Sequence, residues 1–430
     1  MPIRTPAETA LVEAFALARE RLPGDPDVRA RAFAPLEKGL PHRRIEEWKY
    51  TDLHALLREV KPLAAPPDAA AVKAIRKGGL PLGKAEAIRL VLVNGSFVPA
   101  LSDLDALPAG VEVVPLGRAL AEGQPWLARL GEAGAPADNA AVALAAAFAG
   151  DGVMIRLAAG AEVERPILLA HVQQGDGHAA YARSLVIAEA RASATLVESH
   201  SGPGAHQTGS LLEILAGQGA SLRHVKLQGE AAGTVHLATL AVRLDAAAAI
   251  DSLVVERGAA LARQQMFVTF AGEGARAALK GVTLAGGIRH LDTTAVIDHA
   301  VPGCISTEQF KAVIDGRARA VFQGRINVAP RAQKTDARMV MRALMLSEGS
   351  EADLKPELWI NADDVQCAHG ATASAIDEEQ IFYLAARGIP RPEAETMLVE
   401  AFVAEVLDAA PEAVRAAARA LAATWLKERD

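Results

Sequence analysis

The hydrophobic period of the chain changes twice along its 430 residues. Near the start, Leu11, Phe15 and Ala18 recur at helical spacing, and Ile45, Trp48, Leu53 and Leu56 predict a second amphipathic stretch. Pro62 to Asp68, with Pro66-Pro67, reads as a linker. Leu90 to Val93, the turn Asn94-Gly95 and then Phe97-Val98 predict a hairpin, and Val111 to Pro115 a further short strand. Residues 1–149 are therefore expected to form a mainly helical region with short strands.

From 150 to 376 the helical period fades. Short apolar runs separated by Gly-containing turns take over, among them Val153–Leu157, Ile167–His171, Ala194–Glu198, Leu222–Leu227 and Leu237–Val242. A weak repeat links 189–196, 216–222, 244–250, 272–279 and 315–322. Its closing apolar residues Leu196, Leu222, Ile250 and Leu279 are separated by 26, 28 and 29 residues. Phe322 and Leu354 follow after 43 and 32, the longer step reading as an inserted loop or an extra short coil. Strands and tight turns at this period predict stacked coils of a parallel β-helix, in which small residues such as Ala let neighbouring strands pack closely. An Ala-rich β-sandwich with a chance repeat is the competing reading. The four closing residues are expected to form one interior stack.

After Ile376 the helical pattern returns, so residues 377–430 read as a C-terminal helical domain. Asp377 with Gln380 predicts a capped start and Arg387-Gly388 a stop. A second helix is expected from Pro392 to Asp408, with Leu398, Phe402 and Val406 on one face. A third starts at Pro411, with Val414, Ala418, Leu421 and Trp425 in a stripe. Such stripes either pack on one another or dock a partner.

Composition narrows the function classes. Hydrophobic residues make up 51%, charged residues 23% and aromatics only 4%, an ordinary globular balance with a thin core. The net charge of -7 offers no general field for nucleic acid. Two cysteines, Cys304 and Cys367, make no disulfide framework and fit a reducing, cytoplasmic setting. The first residues lack the pattern of a signal peptide, and the longest apolar run, near Ala140 to Ala149, is short for a membrane helix. The sequence contains no GxxxxGK[ST] loop, GxSxG elbow or HExxH, so no catalytic machinery is predicted. Scarce aromatics also weigh against a β-helical carbohydrate-active enzyme, since Trp359 is the first Trp of the repeat region and Tyr181 its one Tyr.

One stretch carries metal chemistry: Asp363-Asp364-Val365-Gln366-Cys367-Ala368-His369-Gly370-Ala371-Thr372. On a strand, Cys367 and His369 point the same way and present a thiol and an imidazole, a pair suited to iron or zinc. A complete site takes about four ligands, so the pair is a half-site for a partner to complete at a subunit interface. Alternatively Cys367 is a small half-buried hydrophobe and His369 bonds to the turn at Gly370. A free-standing metal protein is a further alternative, opposed by the ligand count. Of the other histidines, His200 with His206, or His290 with His299, are candidates to meet between coils, most being expected as plain surface residues. Cys304, in a turn, reads as structural.

The segments Ser306-Thr307-Glu308-Gln309-Phe310-Lys311, Phe322-Gln323-Gly324-Arg325-Ile326, Ala332-Gln333-Lys334-Thr335-Asp336-Ala337 and the Cys367–Thr372 stretch, with Glu46-Glu47-Trp48-Lys49 near the start, together resemble the SufB/SufD family of iron–sulfur cluster assembly proteins. The resemblance is strongest over residues 290 to 408. It implies a right-handed parallel β-helix between helical N- and C-terminal regions. It also implies a non-catalytic subunit of an ATP-driven SufBCD-type complex, pairing with a SufB-like paralogue and holding a SufC-like ATPase through the C-terminal helices. A homodimer in isolation is a further expectation. Cys367 and His369 fall on the family's Cys-x-His-Gly motif, with transient iron or a nascent cluster shared at the interface and none bound tightly by the chain alone. Ala368-His369-Gly370-Ala371 departs from the Glu-His-Glu-Ala typical of SufB, which favours the SufD branch over a SufB-like main scaffold. Residues 46–49 are expected in an amphipathic helix against the solenoid end.

Overall fold

The computed structural model describes residues 4–80, 82 and 86–429. From Val153 to Ala375 the chain winds as a parallel β-solenoid whose strands fall alternately into two facing sheets. One sheet of ten strands runs from the hairpin Ile88–Val93 and Ser96–Phe97 through Glu162–Val172 to Gln366–Ala375. The other, of nine, runs from Val111–Pro115 through Ala179–Ala188 to Glu351–Ile360. Among the described residues the stacked pairs are parallel, and only the hairpin and the pairing of Val111–Pro115 with Val153–Leu157 are antiparallel. The mainly-β solenoid expected from the repeat is thus the fold.

Alternate residues of each strand face the space between the sheets. Leu196, Leu222, Ile250 and Leu279 all lie there, each at most 3% exposed. They occupy two adjacent ladders rather than one stack. Leu222 aligns with Ile250, whereas Leu196 aligns with His224 and Leu279 with Ser252, two residues along. Phe322 and Leu354 align with each other in the opposite sheet. The 43-residue step is therefore one coil of 29 residues, from Leu279 to its ladder neighbour Glu308, plus a half-coil of 14 to the opposite sheet, with no inserted loop. The repeat mixed two kinds of turn, because both place a residue with positive φ just before an inward Ala. Arg191, Gly219, Ala247 and Gly274 hold φ of 59°, 68°, 55° and 71° at successive turns of one kind. Glycine takes this conformation freely, while Arg191 and Ala247 are held in it by hydrogen bonds to the next coil, to Gln218 O and Glu273 O (both 2.9 Å).

A helical layer covers the outer face of each sheet. On the nine-stranded side, Ala140–Phe148 is buried on nearly every face, which explains its apolar run. It joins the helices Pro6–Ala18 and Pro26–Glu37, whose Phe15 and Phe33 rings stack at 4.1 Å. On the ten-stranded side, the helices Arg391–Leu407 and Glu412–Glu428 bury Val399, Val403, Val406, Val414, Ala418 and Trp425 against Val225, Val255, Val282 and Val313. The stripe of the second helix is rotated from the expected one, with Leu398 and Phe402 only half-buried. Each apolar side chain so covered is worth about 1.5–3 kcal/mol, and for these helices that comes from the sheet more than from one another.

The segment Glu46–Trp48 is a 3-10 turn rather than an amphipathic helix, and it lies on the outer face of the nine-stranded sheet rather than at the solenoid end. Trp48 is buried under the Arg263 guanidinium, 4.1 Å from its ring centre, and Arg263 forms a fully buried pair with Asp292. Ile45 and Leu56 stay exposed because the segment packs through Trp48 and Leu53.

Candidate functional site

Two places concentrate unspent chemistry, one at the last coil and one inside the solenoid. The last coil is formed by Glu351–Ile360 and Gln366–Ala375, and among the described residues each of these strands is paired along one edge only. Nearly all of their residues are exposed or half-buried, unlike the coils before them. Trp359 is 55% exposed, its ring lying under the Arg325 guanidinium at 4.8 Å. The interior ladders therefore end in an open rung rather than under a cap.

Cys367 and His369 lie on that rung. Cys367 aligns with Ala337 and His369 with Met339, both inward and fully buried, so the two-residue spacing directs thiol and imidazole to the same, core-facing side. Cys367 is half-buried against the interior cluster, and His369 is exposed. Burial, followed by the nearby Asp336 carboxylate, pushes the Cys367 thiol up from its ordinary value. A metal that displaces its proton is the agent that would make it a thiolate at neutral pH. Asp364 is engaged by Lys334 in the preceding loop and stands apart from the pair. Cys304 is fully buried in the interior, with its Sγ 3.5 Å from Gly272 O.

Two rungs below His369, in the same ladder, lies Glu308. It is 2% exposed, and neither carboxylate oxygen has a hydrogen-bond partner. Burial holds its pKa well above the ordinary value, which favours the protonated carboxyl.

The second place is a polar chamber between the sheets, built from residues expected on the surface. His171, His200, His224 and His236 are all buried, with Glu198, Lys226, Glu230 and Glu256 among them. His224 Nε2 lies 3.0 Å from Glu198 Oε2, and its Nδ1 2.9 Å from Ser252 Oγ. His236 Nδ1 lies 2.8 Å from Glu230 Oε2, and its Nε2 2.8 Å from Lys226 Nζ. Burial opposes ionisation of Glu198, yet its hydrogen bond with His224 and charge from the neighbouring imidazoles hold its carboxyl well below the usual range. Burial pushes His171 down to about 3 and His200 to about 4, and Glu256 up to about 7.

The pairings expected among the histidines do not form. His200 stacks on His171 at 4.3 Å, and His206 lies against His178, its ring tilted, at 4.2 Å. His290 meets Thr51, and His299 meets Phe270 and Ser306. The signal for the chamber was strand alternation: Leu196-Glu198-His200 and Leu222-His224-Lys226 continue an inward apolar position with polar ones. Charge made these read as surface residues.

Fold and site together define a helix-flanked parallel β-solenoid with a thiol and an imidazole side by side on an open last coil. The profile of the SufBD core domain of the SUF system for FeS cluster assembly matches residues 171–402, and that of the SufBD protein N-terminal region matches 25–169. The chain is 33% identical over 383 residues to the iron–sulfur cluster assembly protein SufD of Escherichia coli, covering 87% of this chain and 86% of that protein. It is 30% identical over 384 residues to a SufBD-family iron–sulfur cluster assembly protein of Synechocystis, covering 86% and 84%. With the iron–sulfur cluster assembly protein SufB of Bacillus subtilis it shares 28% over 272 residues, 62% of this chain and 58% of that one. The chain belongs to the SufBD family of iron–sulfur cluster assembly proteins. Among its described residues no helix is long and apolar enough to cross a membrane.

Proposed function

We propose that this chain is a SufD-like, non-catalytic scaffold subunit of a cytoplasmic SufBCD-type complex, supporting iron entry and nascent cluster formation where it meets a SufB-like paralogue. The observation that carries the reading is the open last coil, with Cys367 and His369 on its core-facing rung. An unpaired parallel edge is a template for another strand, and a second solenoid ending the same way would close it. Two ligands from this chain and the rest from the partner would make up a cluster site, the iron and sulfide being cargo rather than resident. The same edge would serve a homodimer when the chain is alone. An ATPase would dock on the C-terminal helices, where Phe382, Tyr383 and Met397 stay exposed and a groove of about 430 Å³ opens between the last two helices.

His369 is exposed, so His369→Ala should leave the melting temperature of the isolated subunit and assembly of the complex nearly unchanged. Anaerobic cluster yield on the co-expressed complex should fall by about tenfold or more, as for loss of a metal ligand. Cys367→Ser should cost less if the partner supplies the principal thiolates. A yield that falls only in proportion to lost protein would make His369 a folding residue and end the assignment.

A further inference from the structure

We propose that His171 Nε2, His200 Nε2 and Glu198 Oε1 bind one divalent first-row transition ion inside the solenoid, at a site separate from the open last coil. The three donors come from adjacent coils, His171 from Glu162–Val172 and the other two from Ser193–Ser201, with His171 aligned on His200. Each imidazole nitrogen faces the same carboxylate oxygen, at 3.8 Å for His171 and 3.6 Å for His200. All three donor atoms lie within 4.8 Å of one another.

These separations are too long for hydrogen bonds and close to what a shared ion requires. An ion held at ~2.0–2.2 Å by each donor sets its ligands ~3.0–3.6 Å apart, so each nitrogen–carboxylate separation needs to close by only a few tenths of an ångström, while the two nitrogens, which lie within 4.8 Å of each other, would draw together by up to about 1–2 Å. Independently, both Nε2 atoms are buried without a hydrogen-bond partner, on side chains 8% and 2% exposed. An orphaned imidazole nitrogen in a protein interior costs about 1–3 kcal/mol, and two aimed at one carboxylate need a common explanation.

The surroundings suit a ligand set. Glu198 is oriented from behind by His224, which is fixed in turn by Ser252, the arrangement that holds metal-bound carboxylates in place. The rings stack 10° from parallel, so both nitrogens face the same way, and a rotation of each ring about its Cβ–Cγ bond would turn the two lone pairs onto one ion. Charge agrees as well. The chamber buries Glu198, Glu230 and Glu256 with one lysine, Lys226, whose contacts are His236 and Gln264. The neighbouring group of His200, Glu230 and His236 is a weaker candidate, because both nitrogens of His236 are already engaged. Two imidazoles and one carboxylate select an ion of borderline softness, such as ferrous iron or zinc, over magnesium or calcium.

The test uses the full chain and Co²⁺ alone as probe, added to the metal-free protein both in the folded state and during refolding. The refolding arm matters because the donors are closed off from solvent. Wild type should take up one Co²⁺ per chain, with visible absorption and an X-ray absorption signature of two imidazoles. The double variant Cys367→Ser, His369→Ala should bind equally well, which separates this site from the last coil and from the proposed function. The near-isosteric Glu198→Gln should bind at least about 100-fold more weakly, since a direct ligand is lost. Absence of binding in both arms, undiminished binding by Glu198→Gln, or loss of binding in the double variant would each overturn the proposal. Should Glu198→Gln fail to fold, the imidazole count in the wild-type spectrum decides: fewer than two sinks it.

Discussion

Glu308 shows what a single residue contributes when its neighbours give it nothing. Its carboxyl is buried and unpartnered, and burial raises its pKa, so the native state keeps a proton that the unfolded chain releases near the ordinary value of 4.5. The sign follows from linkage: with more protons bound in the native state, stability falls as pH rises from about 4.5 toward the raised native value. Glu308→Gln removes that proton from the balance. Wild type and variant should be nearly equally stable near pH 4.5 and diverge above it, the variant gaining up to about 1.4 kcal/mol per pH unit. Urea unfolding of both proteins from pH 5 to 8.5 reads this directly, and parallel curves would mean that Glu308 is ionised and paired in solution. The residue was visible in the sequence only as part of a family segment. Cys367 and His369, by contrast, were legible from spacing, because strand alternation fixes a common side before any tertiary contact is known. The histidines of the chamber were not, since their inward direction depends on register, which repeats only when coils are stacked.

At the scale of elements, the C-terminal helices were legible in their boundaries and less so in their partners. Asp377 does cap the first of them, accepting from Glu379 N at 2.9 Å, and Gly388 turns the chain out with φ of +84°. What periodicity could not give was the surface each stripe meets, because a stripe encodes an apolar face without naming its complement. The second and third helices spend theirs on the ten-stranded sheet, so removing residues 377–430 would bare Val225, Val255 and Val313 and unsettle the solenoid itself. A partner must therefore use what remains uncovered. Phe382 and Tyr383, on Glu378–Ala385, are 75% and 57% exposed. Replacing both with Ser should shift the melting temperature of the subunit little, since exposed side chains contribute within about 0.5 kcal/mol each. Co-purification with the ATPase should drop by about tenfold or more, the loss typical of a central aromatic contact. Equal recovery of the ATPase would place its docking surface elsewhere.

For the whole molecule, the asymmetry of its ends is the feature that matters. The early coils are closed by the hairpin Ile88–Val93 and Ser96–Phe97 and by the antiparallel strand Val111–Pro115, whereas the last coil stops in mid-ladder. Its edge can be read atom by atom. Gln366 N–H donates to Thr335 O at 2.8 Å, so in a parallel ladder the even-numbered residues of Gln366–Ala375 point their N–H groups back into the sheet. The odd-numbered ones, from Cys367 to Ala373, present theirs to whatever comes next. The same residues carry their side chains inward, so ligands and free donors belong to one set of positions. A strand laid along this edge would satisfy the backbone and bring its own ligands beside Cys367 and His369 in one step. Proline at an outward-donating position removes a free donor and blocks the approach of a strand without breaking a bond the sheet already makes. Ala373→Pro should therefore leave the isolated subunit folded, within about 1 kcal/mol of wild type, because Ala373 is exposed and on the edge. It should abolish co-purification with the SufB-like partner and, with it, cluster formation, while binding of the ATPase to the C-terminal helices persists. Proline at Thr372 instead, whose N–H points into the existing ladder, should destabilise the last coil itself. If Ala373→Pro assembles with the partner as wild type does, the two solenoids do not meet strand to strand at this edge, and Cys367 and His369 lose their claim to a shared site.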